Sequence, residues 1–505
     1  MDSQTFREAG HTGIEDIATY FDTLSSRPVV STVEPGYLRK LLPSSAPEEG
    51  ESWSAIHADI EDKILPGITH WTHPGFHAFF PCANSYPSIL GELYSAALSG
   101  AAFNWICSPA VTELETIVLD WLAQILGLPP CFLSTGPTRG GGVIHGSASE
   151  AVLTAMVAAR DKYLRETTPP ESKLSGEARE DFIARKRSKM VALATTATHS
   201  SAKKAALILG IRFRAIPVRA EDNYSLTEEV LSQALAQCKA EGLEPFFLAA
   251  TLGTTDTCAV DDFAGIISAL NAFAPAGQPG EIWVHVDGAY AGSALVCPET
   301  QKEVNISLLE NFHSFDMNMH KWLLVNFDAS CFFVRDRSWL VQALSVNQAV
   351  YGNHASDGGL VTDYREWQIP LGRRFRALKV WFVLRSYGVK GLQAHIRRST
   401  KLGDEFADMI RSRPDLFEIV TPPRFALTVF RLAQKGEAQT LEERNKLTKE
   451  LYDRANATGY MWFTSTNLDG RVAIRMCAGV RTTEREHIER AFKGLVEIAE
   501  SIMKA

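Results

Sequence analysis

Between about residue 140 and residue 335 the chain alternates strand-length apolar runs with helix-length amphipathic ones, an order that few folds accept. Met190-Val191-Ala192-Leu193-Ala194, Phe246 to Thr251, Ile282 to Asp287 and Cys331 to Val334 read as strands buried on both faces. Ala151 to Arg160, Leu226 to Ala240 and Ile266 to Phe273 read as helices between them. The alternation predicts an α/β fold with a mostly parallel central sheet covered by helices. Any ligand then belongs at the carboxyl ends of the strands. The stretch 161–190, polar and interrupted by proline, reads as a solvated excursion.

The flanks differ in character. Residues 1–100 are helical and loop-rich, with Pro35-Gly36, Pro43 and Pro47 breaking short amphipathic pieces, and are not expected to fold alone. A helix is expected to open at Thr112, where Thr112-Glu113-Leu114-Glu115 has the form of a capping box, and to close at Gly127 and Pro129. A large domain is expected over 101–390. Beyond it, helix at 393–412, strands near 418 and 425–431, and helices at 441–457 and 483–503 predict a small C-terminal α+β domain over 391–505.

Composition excludes several partners. A formal net charge of −8 argues against nucleic acid, which is met by clustered Lys and Arg. Apolar runs such as Phe246-Phe247-Leu248-Ala249-Ala250 are far short of a membrane span. Met1 to Glu8 has neither the basic nor the apolar part of a secretory signal, and the 8 cysteines include no Cys-x-x-Cys pair. A cytoplasmic protein with free thiols is the expectation.

Lys321 is the residue with most chemistry to offer. It follows Ser314-Phe315-Asp316-Met317-Asn318-Met319-His320 and precedes Trp322 and the apolar run Leu323-Leu324-Val325, which reads as a strand with the lysine at its edge. An amine so placed is suited to lose its proton and act covalently. Asp287 ends the run Ile282-Trp283-Val284-His285-Val286. A strand-end Lys with a strand-end Asp is what pyridoxal phosphate (PLP) requires, the amine for a Schiff base and the carboxylate for the pyridine nitrogen. A structural ion pair is the commoner meaning of a lone Lys and Asp. Here a glycine-rich turn, Gly140-Gly141-Gly142-Val143-Ile144-His145-Gly146-Ser147-Ala148-Ser149-Glu150, runs straight into a helix, an arrangement that suits a phosphate. His199, after the strand at 190–194, is placed to stack on a flat cofactor, and Thr251 ends a buried strand in the same way. His70 with His73, and His285 with Asp287, lack a third ligand at plausible spacing, so no metal is expected.

These motifs and others spread along the chain carry a family resemblance. Val33-Glu34-Pro35-Gly36-Tyr37, His70-Trp71, Ser108-Pro109-Ala110, Asp120-Trp121-Leu122, Thr251-Leu252-Gly253-Thr254-Thr255, His285-Val286-Asp287, His320-Lys321-Trp322 and Trp367-Gln368-Ile369-Pro370-Leu371-Gly372-Arg373-Arg374-Phe375-Arg376 are among them. The chain resembles the PLP-dependent aromatic L-amino-acid decarboxylases of the group II family, with the aminotransferase-like PLP fold type I. The resemblance implies that Lys321 carries the coenzyme, that Asp287 pairs with its pyridine nitrogen, and that Ala148, Ser149 and Asn318 hold its phosphate. It implies that His199 stacks on the ring and meets the substrate carboxylate, while Thr251, Ala289 and His320 line the cofactor. Trp71, Phe79, Phe80, Pro81 and Phe103 would shape an apolar slot for an aromatic amino acid. A homodimer is implied, with the N-terminal segment around the partner and Phe103 donated across the interface.

The departures from the family pattern bear on substrate and product. Phe79 and Cys82 replace a tyrosine and a hydroxyl residue, making the slot less polar, while Gly288 and Met319 are smaller departures. Gly372 matches members that accept indole, which favours tryptophan, with phenylalanine, tyrosine and DOPA also possible. A loop tyrosine delivers the proton to Cα in the family. Here ungapped counting puts Val350 at that position and Tyr351 one step later, and a one-residue shift gives the role to Tyr351. With Val350 in place, oxygen would intercept decarboxylation and the product would be an aromatic acetaldehyde. A histidine or acidic-amino-acid decarboxylase would need polar groups where Phe79, Phe80 and Phe103 stand, and a silent PLP-fold protein would lack Lys321 or Asp287.

Overall fold

The computed structural model describes residues 1–346, 361–436 and 438–504. Among the described residues, β1 (Gly141–His145), β2 (Met190–Thr195), β3 (Arg212–Ile216), β4 (Glu244–Thr251), β5 (Trp283–Asp287), β6 (Ser314–Asn318) and β7 (Ser330–Val334) form a 7-stranded sheet in the order β1-β7-β6-β5-β4-β2-β3. The β3/β2, β2/β4, β4/β5 and β5/β6 pairs are parallel, and β7 is antiparallel to both β6 and β1. An antiparallel neighbour can be reached by a short connection, where a parallel one needs a crossover. The short link from β6 to β7 is where Lys321 sits.

Every residue of β1, β2, β5, β6 and β7 is buried, as a sheet covered on both faces demands. Helices α1 (Pro109–Ile125), α2 (Ala148–Thr167), α3 (Gly176–Lys189) and α4 (Ser200–Ile208) belong to the same part of the chain. Ala151, Ala155 and Ala158 of α2 share one apolar cluster with Phe247, Trp283 and Phe332 of the sheet. Small side chains there let the helix backbone lie close to the strands.

The chain divides into two compact units. One comprises Cys82–Gly403 and Thr421–Leu427 and contains the 7-stranded sheet. The other comprises Met1–Pro81, Asp404–Val420 and Thr428–Ala505. A 4-stranded sheet runs β10-β11-β9-β8, from β8 (Phe417–Arg424), β9 (Leu427–Leu432), β10 (Thr464–Leu468) and β11 (Arg471–Cys477).

Five local expectations are corrected. The strand beside Lys321 is β6, before it, and not Leu323–Val325 after it; β6 alternates Ser314, Asp316 and Asn318 with apolar residues and so lacks a continuous apolar run. Gly141 and Gly142 lie inside β1, so the turn proper is Gly146-Ser147. Helix α1 starts at Pro109 after N-cap Ser108, because proline at a first helical position needs no N–H partner, and Thr112 is buried in its first turn. The segment 161–190 is helical over most of its length, as the end of α2 and as α3. The helix expected at 393–412 is the second part of Arg376–Arg411, which is interrupted at Gly388 with φ 62°.

Candidate functional site

Thr251, Asp287 and Asn318 are the last residues of β4, β5 and β6, and the register places Thr251 opposite Asp287 and Asp287 opposite Asp316. All are buried. The Ala289 backbone N–H donates to Asp287 Oδ1 at 2.9 Å, which fixes the carboxylate, and the Asn318 N–H donates to the Ala289 carbonyl at 3.0 Å. Among the described residues neither Thr251 Oγ1 nor Asn318 Oδ1 has a hydrogen-bond partner, although both are buried. Buried polar atoms left unpaired cost free energy, so a pair of them at one sheet edge marks a place where a ligand is expected to supply the bonds.

Lys321 lies in the one-turn helix Met319–Trp322 directly after β6. His320 is buried, and its Nδ1 accepts the Ala329 backbone N–H at 2.8 Å. Burial, aided by the Lys321 charge, lowers the His320 pKa to about 4. The ring is therefore neutral near pH 7 with its proton on Nε2, a hydrogen-bond donor there. His199 is the N-cap of α4, and its Nδ1 accepts the Ser201 N–H at 3.2 Å, so its proton is also on Nε2. Burial lowers the His199 pKa while the Asp287 carboxylate opposes the shift, and the Lys321 charge also bears on it. His199, Asp287 and Lys321 thus share one electrostatic neighbourhood, which agrees with the expectation that the strand ends bring them together.

The phosphate-like turn lies at the end of β1. Ser147 caps α2, with its Oγ accepting the Glu150 N–H at 3.3 Å, and Ala148 and Ser149 open the helix. The Gly146 N–H is taken by the Glu150 carboxylate at 3.0 Å. A Cβ on Gly146 would stand 3.1 Å from Asp328 Oδ2, a tight contact that would press on the Asp328–Arg376 pair. Cys82 is half-buried, with its thiol pKa raised by burial, and the next residue, Ala83, donates its N–H to the His320 carbonyl at 2.7 Å. The Phe103 carbonyl accepts the Arg365 N–H at 3.2 Å. Gly372 is exposed, and a Cβ there would meet nothing within 4 Å, so the extra room it leaves is not bounded by described atoms of this chain.

Trp71, Phe79, Phe80 and Pro81 belong to the other unit. Trp71 stacks on Phe79 at 5.6 Å between centroids, and Trp462 meets Phe79 edge-on at 5.4 Å. Phe79 has φ 50°, unusual for a bulky residue, and its N–H is held by Thr464 Oγ1 at 3.3 Å. Arg475 donates to that same hydroxyl at 2.8 Å and lies over the Phe80 ring at 5.2 Å. Trp462, Thr464 and Arg475 carry no sequence motif and were not anticipated; only the contact reveals them. Of the histidines weighed as metal ligands, His70 Nδ1 is bonded to the Tyr20 hydroxyl at 2.8 Å and His73 Nδ1 accepts the Gly75 N–H at 2.9 Å. Val350 and Tyr351 lie outside the described residues.

Comparison with known proteins decides the family. Residues 35–433 match the model of the pyridoxal-dependent decarboxylase conserved domain. The chain belongs to that family. It is 44% identical to phenylacetaldehyde synthase of Arabidopsis thaliana over 507 residues, covering 100% of this chain and 97% of that protein. It is 43% identical to aromatic-L-amino-acid decarboxylase of Rattus norvegicus, covering 100% and 99%. Among solved structures, Oryza sativa TDC with PLP and tryptamine superposes with a TM-score of 0.92 at 37% identity, covering 100% of this chain and 99% of that one. The protein is therefore a PLP-dependent carboxy-lyase with the PLP fold type I.

The edge just described fits PLP. It offers a primary amine, an ordered carboxylate for a pyridinium, a helix start for a phosphate, and two buried polar atoms without partners. Thr251→Val tests that fit with effects of opposite sign. Removing an unpaired buried hydroxyl is expected to leave the apoprotein unchanged or more stable by up to ~1 kcal/mol, while PLP binds about fivefold more weakly. Thermal unfolding of the apoprotein and a fluorescence titration with PLP measure the two.

Proposed function

We propose that the protein is a homodimeric, cytoplasmic aromatic L-amino-acid decarboxylase that favours tryptophan and yields the arylalkylamine and carbon dioxide. The observation carrying this reading is the convergence of Lys321, Asp287, His199 and the unpaired Thr251 and Asn318 atoms at one edge of the sheet. When bound, PLP supplies an electron sink for the pair left by the breaking Cα–carboxylate bond.

In this reading Lys321 would anchor the coenzyme through its amine. Asp287 keeps a proton on the pyridine nitrogen, and Ala148, Ser149 and Asn318 hold the phosphate. Thr251, Ala289 and His320 line the cofactor. His199 would stack on the ring and meet the substrate carboxylate, so that binding geometry chooses the bond that breaks. Trp71, Phe79, Phe80, Pro81, Cys82, Phe103 and Gly372 receive the aromatic side chain and exclude water. Tyr351 returns a proton to Cα.

A second reading, aromatic acetaldehyde synthase, is favoured by Val350 at the ungapped loop position and by the 44% identity to a phenylacetaldehyde synthase. Incubation with tryptophan, tyrosine, phenylalanine and DOPA, with amine, aldehyde and peroxide measured separately, distinguishes them. Amine from tryptophan without peroxide is expected; aldehyde and peroxide as main products establish the second reading. Tyr351→Phe is expected to divert output towards aldehyde, and unchanged amine yield would show that another group is the acid.

A further inference from the structure

The cofactor-side face of the sheet carries a polar column that none of the roles above uses. Trp283, His285 and Asp287 alternate on β5, and Ser314, Asp316 and Asn318 alternate on β6. The Trp283 indole N–H donates to Ser314 Oγ at 2.8 Å. His285 Nδ1 lies 2.9 Å from the same Oγ, and His285 Nε2 lies 3.0 Å from Asp316 Oδ1. His285 and Asp316 are both fully buried.

Donor chemistry gives the column a direction. An indole N–H can only donate, so Ser314 Oγ accepts from it and its own proton is free for His285 Nδ1. With Nδ1 accepting, the imidazole proton is on Nε2 and points at Asp316. Among the described residues the second Asp316 oxygen, Oδ2, has no hydrogen-bond partner, and Asp316 is the register neighbour of Asp287. A buried carboxylate tolerates this only if something nearby uses its charge.

We propose that Asp316, oriented by the Trp283–Ser314–His285 column, is a positioning residue that acts through Asp287 to strengthen the hold of the site on a protonated pyridine ring. The proposal rests on the assignment of Asp287 to the pyridine nitrogen. A second negative charge beside Asp287, on the neighbouring strand, makes the potential at that nitrogen more negative and favours its protonated form. When Asp316 takes up a proton, on the Oδ2 that His285 does not occupy, that extra charge disappears.

The surroundings of Asp316 support such a role. Burial first, and the Asp287 charge second, raise its pKa to about 6, against the His285 bond and the Lys321 charge. On β7, burial first, then the Glu115 and Asp316 charges, raise the Cys331 thiol pKa, and Phe332 packs against the His285 ring at 5.9 Å. On β4, Phe247 stacks on His285 at 6.3 Å. From α2, the cluster shared with Phe247, Trp283 and Phe332 brings alanines and no charge.

The test titrates wild-type and Asp316→Asn apoenzymes with PLP at about pH 5 and about pH 8.5, reading tryptophan fluorescence. Asparagine keeps an acceptor for His285 but removes the charge. The variant is expected to bind about tenfold more weakly at the higher pH and about equally at the lower, where the wild-type Asp316 already holds its proton. Equal affinity at the higher pH, or equal weakening at both, overturns the proposal.

A coenzyme-free readout accompanies this. Because the folded Asp316 pKa is raised, its stabilising contribution is present below the ordinary carboxylate range and lost as pH rises through about 6. The thermal midpoint of wild type is expected to fall across that window relative to Asp316→Asn. Should that variant not fold, Ser314→Ala decides instead: the pH at which PLP affinity changes must move by about half a unit or more, and an unmoved value overturns the proposal. Asp287→Ala run in parallel separates the two assignments. If it binds PLP as tightly as wild type, the pyridine assignment fails; if it weakens while Asp316→Asn does not, only the role of Asp316 fails.

Discussion

Lys321→Ala is expected to lower kcat by about 10³-fold or more with every aromatic substrate, and to abolish any borohydride-fixed adduct on the peptide that carries it. The reason is positional. Lys321 directly follows β6, whose last residue Asn318 stands in the same edge as Asp287, and its charge reaches His199, His320 and Asp316. In the proposed reading, alanine removes the amine that anchors the coenzyme. It does not remove Asp287, the α2 start or the unpaired Thr251 and Asn318 atoms, so PLP binding is expected to persist non-covalently. Mass spectrometry after borohydride treatment, together with single-turnover kinetics, checks both halves. A covalent adduct on another lysine, or retention of more than about a tenth of the activity, would remove Lys321 from the mechanism.

Glu115→Ala is expected to be the most destabilising single change near the site, at about 3–5 kcal/mol. Glu115 and Arg373 are buried together and hydrogen-bonded, with only 1% of either side chain exposed. Glu115 Oε1 also accepts the Ile144 N–H at 2.7 Å. Arg373 bonds Gln368 and lies over the Tyr364 ring at 4.6 Å. Removing the carboxylate strands a guanidinium in the interior and an N–H in β1, the strand that ends at the phosphate-like turn. The thermal midpoint is expected to drop by roughly 5–10 °C, with PLP affinity falling in step. The double variant Glu115→Met with Arg373→Met is expected to be milder than Glu115→Ala alone, because no uncompensated charge remains. Additive losses would show that the pair is not coupled.

Much of this molecule is legible in its sequence where the signal is local. β2, β4 and β7 are mostly apolar runs and β5 is one broken only by His285 before its terminal Asp287, and each is found within a residue or two of its expected ends. β3 and β6 escape the same reading for opposite reasons. β3 is an edge strand whose Arg212 is exposed, and β6 puts a polar residue at every second position because its cofactor-side face is occupied by Ser314, Asp316 and Asn318. The Thr112 box reads as a cap from spacing alone, yet Ser108 and Pro109 start that helix four residues earlier in the chain.

The candidate site divides along the same line. Lys321, Asp287, His199 and Thr251 announce themselves by lying at or just beyond the ends of apolar runs, and the family motifs around them identify the coenzyme. His285 is visible only as a residue near Asp287, Asp316 only as one before Lys321, and nothing local says that they meet at 3.0 Å.

From its order of residues alone this chain is determined to be an α/β protein of the PLP-dependent decarboxylase family, because periodicity and motif spacing are properties of neighbours along the backbone. Tertiary structure alone decided which buried atoms lack partners, which nitrogen of His199 and His320 carries the proton, and that Asp316 lies beside Asp287. Those depend on strand register and on the distance between charges brought together from remote positions, and burial strengthens every such interaction by excluding water.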